Sequence, residues 1–201
     1  MSHVPATAGS RADAQRDRIL CAALRCFIDH GFHAASIASI ADAAQMSAGL
    51  IYRYFQNKNA IVLAIVQRQL EEKRALIRQL QSSEQFVDGL VDAFEQWGRH
   101  DLSAMSVALL LEMSAEATRN PDIAHALRAS DEVTRATFEE WLRRPREDGG
   151  AGMPAEQARS TALAVRFVVD GLTVRAAREP GIDRFELRSA IEKCIRPLLE
   201  A

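Results

Sequence analysis

Two short apolar stripes with a fresh helix cap between them, inside residues 36–58 (SIASIADAAQMSAGLIYRYFQNK), constrain this chain more than any other feature. Ile37, Ile40, Ala41 and Ala44 recur at i, i+3, i+4 and i+7, the signature of one helix face. Ser36 fits that helix's N-cap, because its hydroxyl can accept from an otherwise unpaired backbone N–H. The break falls at Gln45-Met46-Ser47, where Met46 plugs a tight corner and Ser47 caps a new start. A second helix then runs from Ala48 to Phe55, with Ile51 and Phe55 one turn apart facing inward.

That phase turns Ala48, Gly49, Tyr52 and Arg53 outward, and these residues suit the major groove of DNA. Gly49 has no side chain and permits close approach to a phosphate backbone. The free N–H groups at the helix start, with the positive end of its dipole, favour phosphate oxygens. The hydroxyls of Tyr52 and Tyr54 can reach phosphates, and Lys58 offers a point charge. Arg53 can fork onto O6 and N7 of a guanine, worth roughly 1–3 kcal/mol against a wrong base, or rest on a phosphate or in solvent. Phosphate contacts fix register while base contacts read sequence. The competing assignment, in which Tyr52, Tyr54 and Phe55 are all core aromatics, suits Phe55. Ile51 and Phe55 already fill the inward phase, which sends the tyrosines outward.

From residue 18 to 65 the chain resembles the TetR-type transcriptional repressors. ILCAALRCFIDHGFHAASIASIADAAQMS and then AGLIYRYFQNKNAI follow that family's order and spacing. The matching points are the helix ending in Gly31-Phe32, the Ser36-Ile37 cap, the Ile40-Ala41 pair, Gly49, the run from Tyr52 through Phe55, and Lys58. The resemblance implies an all-α homodimer. Each chain would have an N-terminal three-helix helix-turn-helix DNA-binding domain and a C-terminal helical ligand-binding and dimerisation domain. By matching positions it implies Ser36, Ser47, Gly49, Tyr52, Arg53, Tyr54 and Lys58 as contacts to a palindromic double-stranded operator. Ala48 stands where the family often carries a basic or polar residue, which leaves it at most a methyl for a thymine.

A length of 201 residues with 48% hydrophobic content allows a sizeable core and argues against disorder beyond the ends. Gly and Pro are few and sit at junctions, and no alternating strand pattern survives, so helix is expected throughout. The net charge of −2 does not itself suggest nucleic acid. Through Lys58, six basic residues (Arg11, Arg16, Arg18, Arg25, Arg53, Lys58) meet four acids (Asp13, Asp17, Asp29, Asp42), whereas the remainder is acidic. DNA binding must therefore lean on a few placed charges and helix ends. Cys21, Cys26 and Cys194 make no metal-ligand spacing and read as buried, reduced thiols of a cytoplasmic protein. The polar opening lacks a signal-peptide pattern and no apolar run spans a bilayer. A Gly-rich phosphate loop with Lys, a nucleophile elbow and Glu-x-x-His pairs are all missing, so no enzyme, metal or cofactor is expected. The rivals to a regulator are a DNA-independent helical adaptor for partner proteins and, less favoured on this checklist, a helical-bundle enzyme.

The expected organisation is a flexible arm over 1–11, the DNA-binding domain over 12–57, a connecting helix over 58–80 and an effector-binding and dimerisation domain over 81–201. Helical spacing places further helices at 84–100, 102–119, 121–142, 155–178 and 182–199, about nine in all. Residues 143–154 (RRPREDGGAGMP) read as a mobile loop. Phe86, Leu90, Phe94, Trp97, Leu109, Met113, Phe138, Trp141 and Phe167 are candidates to line an effector pocket or, more simply, to form the core. Glu112, Glu116 and Asp170 interrupt apolar runs, and buried carboxylates are costly unless paired. They either pair with Arg135, Arg166 or Arg175, or draw a lipophilic cation or amine onto the face of Trp97 or Trp141. By the resemblance, the last two helices form the homodimer interface, with Gly171 allowing close approach. LLLEMSAEATRNPDIAHAL also resembles sensing domains of branches that control efflux or catabolic genes. Together these expectations describe a repressor released by a small-molecule effector.

Overall fold

The computed structural model describes residues 8–98 and 107–200, with side chains from Arg11 onward. Most of the expected arm, the end of the helix placed at 84–100 and the start of the one at 102–119 lie outside the described residues. Among the described residues there are nine α-helices, one 3-10 turn and no strand. The chain divides into two compact units, Met1–Val66 and Gln67–Ala201, and the division falls inside the helix expected to connect two domains.

The first unit contains α1 (Ala8–Ala34), α2 (Ile37–Ala44), α3 (Ala48–Tyr54) and the opening turns of α4 (Lys58–Arg78). α1 begins inside the stretch expected to be an arm. It also runs past Gly31, whose φ of 80° and ψ of 159° break the helix internally. That backbone conformation suits glycine, which has no Cβ to clash. It turns Phe32 back so that its ring lies 5.6 Å from Phe27. Ile19, Phe27, Ile40, Ile51 and Ile61 are all fully buried, so each of the four helices contributes to the interior. Of the three cysteines only Cys26 is buried, so the expectation of three buried thiols is corrected for Cys21 and Cys194. Those two fall on the outward phase of α1 and α9. Burial pushes the Cys26 thiol up, and its S–H donates to the Ser39 carbonyl.

The second unit holds the rest of α4 with α5 (Ser83–Gly98), α6 (Val107–Glu116), α7 (Pro121–Arg143), α8 (Ala155–Arg178) and α9 (Arg184–Glu200). Val87, Leu90, Val91 and Phe94 give α5 a buried stripe at helical spacing. Acids beside that stripe meet arginines of α9: Arg184 holds Asp92 and Glu95 at 2.7 Å each, and Arg188 holds Asp88. Exposed pairs of this kind orient two helices more than they stabilise them. α7 starts with Pro121, which needs no N–H there, after Asn120 accepts from the N–H groups of Asp122 and Ile123. Trp141, fully buried, packs against the tilted rings of Phe138 and Phe86 at centroid distances of 5.2 and 6.0 Å.

Residues 144–153, expected to be mobile, carry a dense hydrogen-bond set instead. The Trp141 indole donates to the Gly149 carbonyl at 3.1 Å. The N–H groups of Gly150, Gly152 and Met153 donate to Pro145, Arg144 and Leu142 at 3.0, 2.8 and 2.8 Å. Ala151 and Met153 are buried. A Cβ on Gly150 would lie 2.1 Å from the Arg144 carbonyl oxygen, which is backbone and cannot swing aside. Gly150→Ala should therefore lower stability by about 1–3 kcal/mol, read as a lower urea midpoint. An unchanged midpoint would mean that the loop opens freely.

Candidate nucleic-acid interface

Local chemistry builds the corner between α2 and α3. The Ser36 hydroxyl accepts from the Ser39 N–H at 3.0 Å, and the Ser39 hydroxyl accepts from the Ser36 N–H at 2.9 Å. This reciprocal capping box uses serine where Glu or Gln is usual, so Ser39 went unnoticed in the sequence. α2 ends in a Schellman pair: Met46 N–H donates to Ala41 at 2.9 Å and Gln45 N–H to Asp42 at 3.0 Å. The motif forces Gln45 into the left-handed region, with φ of 52° and ψ of 49°. Gln45→Gly should raise stability by about 1 kcal/mol, because only glycine adopts that conformation without a Cβ penalty. Thermal unfolding checks this. A lower midpoint would mean that the Arg18 contact to the Gln45 side-chain oxygen, at 3.4 Å, outweighs the strain.

Ser47 then accepts from the Leu50 N–H at 3.2 Å and starts α3. Ile51 and Phe55 are 0% and 3% exposed, whereas Tyr52 is 56% exposed, and Ser47, Ala48, Gly49 and Arg53 are also exposed. Tyr54 is half-buried at the edge of the rim. A Cβ on Gly49 would meet nothing within 4 Å, so packing inside the chain does not demand glycine there. The open space lies outward, where a phosphate backbone would approach. Behind the rim, the Arg16 guanidinium sits 4.6 Å over the Phe55 ring, and Arg18 donates to the Gln45 carbonyl at 3.3 Å. Lys58 points elsewhere. Its ammonium donates to the carbonyls of Phe32, His33 and Ala35 and lies 4.3 Å over the Phe32 ring.

In the second unit the expected pocket residues separate into groups. Leu90, Phe94, Phe138 and Trp141 share one buried core, with Phe86 and Trp97 packed against it. Leu109 and Met113 are buried on α6 outside that cluster, and Glu112 is half-buried. Phe167 and Asp170 fall elsewhere. The buried side of α8 carries Ala158, Thr161, Ala162, Val165, Thr173 and Ala176, and this phase leaves Phe167 66% exposed. Asp170 pairs with Arg166 at 3.1 Å, and Arg166 also holds Asp131 at 2.9 Å. Partial burial still lifts the Asp170 carboxyl, and burial pushes the nearby Lys73 ammonium down. Buried Glu116 pairs with Arg119 at 2.9 Å. Glu116 and Asp170 thus take internal partners. Among the described residues no acidic, His and Cys group could hold a metal, and no helix is long and apolar enough to cross a membrane.

Comparison with known proteins adds the context for this geometry. Residues 19–65 match the family described as "Bacterial regulatory proteins, tetR family". Residues 88–200, more than half of the chain, match "BetI-type transcriptional repressor, C-terminal". The HTH-type transcriptional regulator UidR of Escherichia coli is 33% identical over 59% of this chain, and the match spans 60% of that relative's length. The HTH-type transcriptional activator FasR of Mycolicibacterium smegmatis is 28% identical over 92% of this chain and 81% of its own. Among solved structures, Salmonella enterica GusR superposes with a TM-score of 0.70 at 26% identity, covering 94% of this chain and 98% of the other.

Proposed function

This chain belongs to the TetR family of bacterial regulatory proteins, and from that premise we propose that it is a homodimeric repressor of transcription. It binds a palindromic duplex operator and is released by a small-molecule effector. The observation that carries this reading is the α3 rim, where Ala48, Gly49, Tyr52 and Arg53 face outward while Ile51 and Phe55 anchor the helix from behind. The exposed starts of α2 and α3 at Ser36 and Ser47 supply N–H groups and positive dipole ends for phosphates. Tyr52 and Tyr54 add hydroxyl contacts, and Arg53 reads a guanine. The BetI-type match over residues 88–200 favours repression over the activation in FasR's name.

Dimerisation falls to α8 and α9. Leu163 and Phe167 form an exposed apolar stripe on α8, and a Cβ on Gly171, one turn on, would meet nothing within 4 Å. Burying that stripe against a second copy removes apolar surface from water. The effector site lies among the helices of the second unit, near the aromatic cluster of α5 and α7. The pairing of Glu116 and Asp170 with arginines weakens the case for a cationic effector, and aromatic packing surface is what remains to recognise a ligand. α4 carries residues of both units. An effector that favours a body conformation with altered head spacing must weaken DNA binding, and DNA must weaken effector binding by the same factor.

Duplexes selected by the purified protein from a random-sequence pool test the reading. Retained duplexes should share a palindrome and shift in a salt-dependent manner. Failure to retain any duplex at low salt would remove the repressor reading and leave the adaptor.

A further inference from the structure

Lys58 opens α4, whose first turn holds no acid. A cation there sits at the positive end of a helix dipole, which disfavours it. The side chain turns away from that pole and reaches the single turn that follows the Gly31 break in α1. Its Nζ donates to the Phe32 carbonyl, to Ala35 at 2.9 Å and to His33 at 3.3 Å, all in the turn after Gly31. An ammonium has three N–H donors, and three carbonyls take them. The Phe32 ring lies 4.3 Å below the charge and adds a cation–π face.

We propose that Lys58 is a positioning residue that straps α4 to the turn between the Gly31 break and α2, and neutralises no phosphate in the DNA complex. This rests on the DNA-binding reading and revises the role that the family resemblance implies for Lys58. The Phe32, His33 and Ala35 carbonyls border the Ser36 cap of α2, so the strap fixes where the α2–α3 corner sits relative to α4. Movement of α4 then carries α3 with it.

Lys58→Met keeps the length of the stem and removes the charge. The test compares it with the unaltered protein on a pool-selected duplex across a potassium chloride series, together with thermal unfolding. Expected are parallel plots of log affinity against log salt, with Lys58→Met weaker by the same factor throughout, and a Tm lower by about 5 °C. A slope flattened by about 0.9 for each head, or an unchanged Tm, would overturn the proposal. Should Lys58→Met fail to fold, the Lys58 ammonium ¹⁵N signal of the unaltered protein decides. It should stay put when duplex is added, and a shift would overturn the strap. If the unaltered protein retains no duplex, the DNA reading falls by itself, and the Tm comparison still decides whether the strap exists.

Discussion

Arg53→Ala should weaken binding to a selected duplex by about 1–3 kcal/mol for each head while leaving thermal stability within about 0.5 kcal/mol. Arg53 is exposed on the last turn of α3, and the opposite side of that helix is held by Ile51 and Phe55. Truncating it opens no cavity, so only the DNA contact is lost. Arg53→Lys should retain non-specific affinity but lose discrimination, because an ammonium cannot reproduce the planar fork on a guanine. Fluorescence anisotropy at fixed salt measures both effects, on the selected duplex and on a scrambled one. Equal affinity of all three proteins for the selected duplex would remove Arg53 from the interface.

The second large effect concerns the body. Trp141→Ala should cost about 3–5 kcal/mol of unfolding free energy. Trp141 is 0% exposed and packs against both Phe138 and Phe86. Its N–H also holds the Gly149 carbonyl, which pins the α7–α8 loop. Trp141→Phe keeps much of the volume but lacks the donor, so it should fall between the two. Urea unfolding followed by circular dichroism separates the three proteins. A loss below about 1 kcal/mol for Trp141→Ala would show that the site collapses around the deletion.

Where signals are local, the sequence was legible. The stripe of Ile37, Ile40, Ala41 and Ala44 and the caps Ser36 and Ser47 act within one turn, and α2 and α3 form where those residues place them. The span 155–178 for α8 holds for the same reason, between Pro154 and the break at Glu179-Pro180-Gly181. Long-range partners were not legible. Residues 143–154 have the composition of a mobile loop, yet their backbone is claimed by Trp141, Leu142 and Arg144, and no pattern in the loop announces that. In RFVVDGL apolar residues lie on all sides, so spacing could not show that the small residues of α8 face inward and Phe167 outward. Lys58 illustrates a third kind of gap. Its position relative to α3 is readable, but the carbonyls it serves are more than twenty residues away.

Hydroxyl-radical footprinting of the selected duplex tests the central claim most directly, namely that the outward rim of α3, presented twice, docks into DNA. Two protected patches should lie about 10–10.5 base pairs apart, or a whole multiple of that spacing, and both should fade together with Arg53→Ala. A single protected patch, or a footprint that Arg53→Ala leaves intact, would contradict the account.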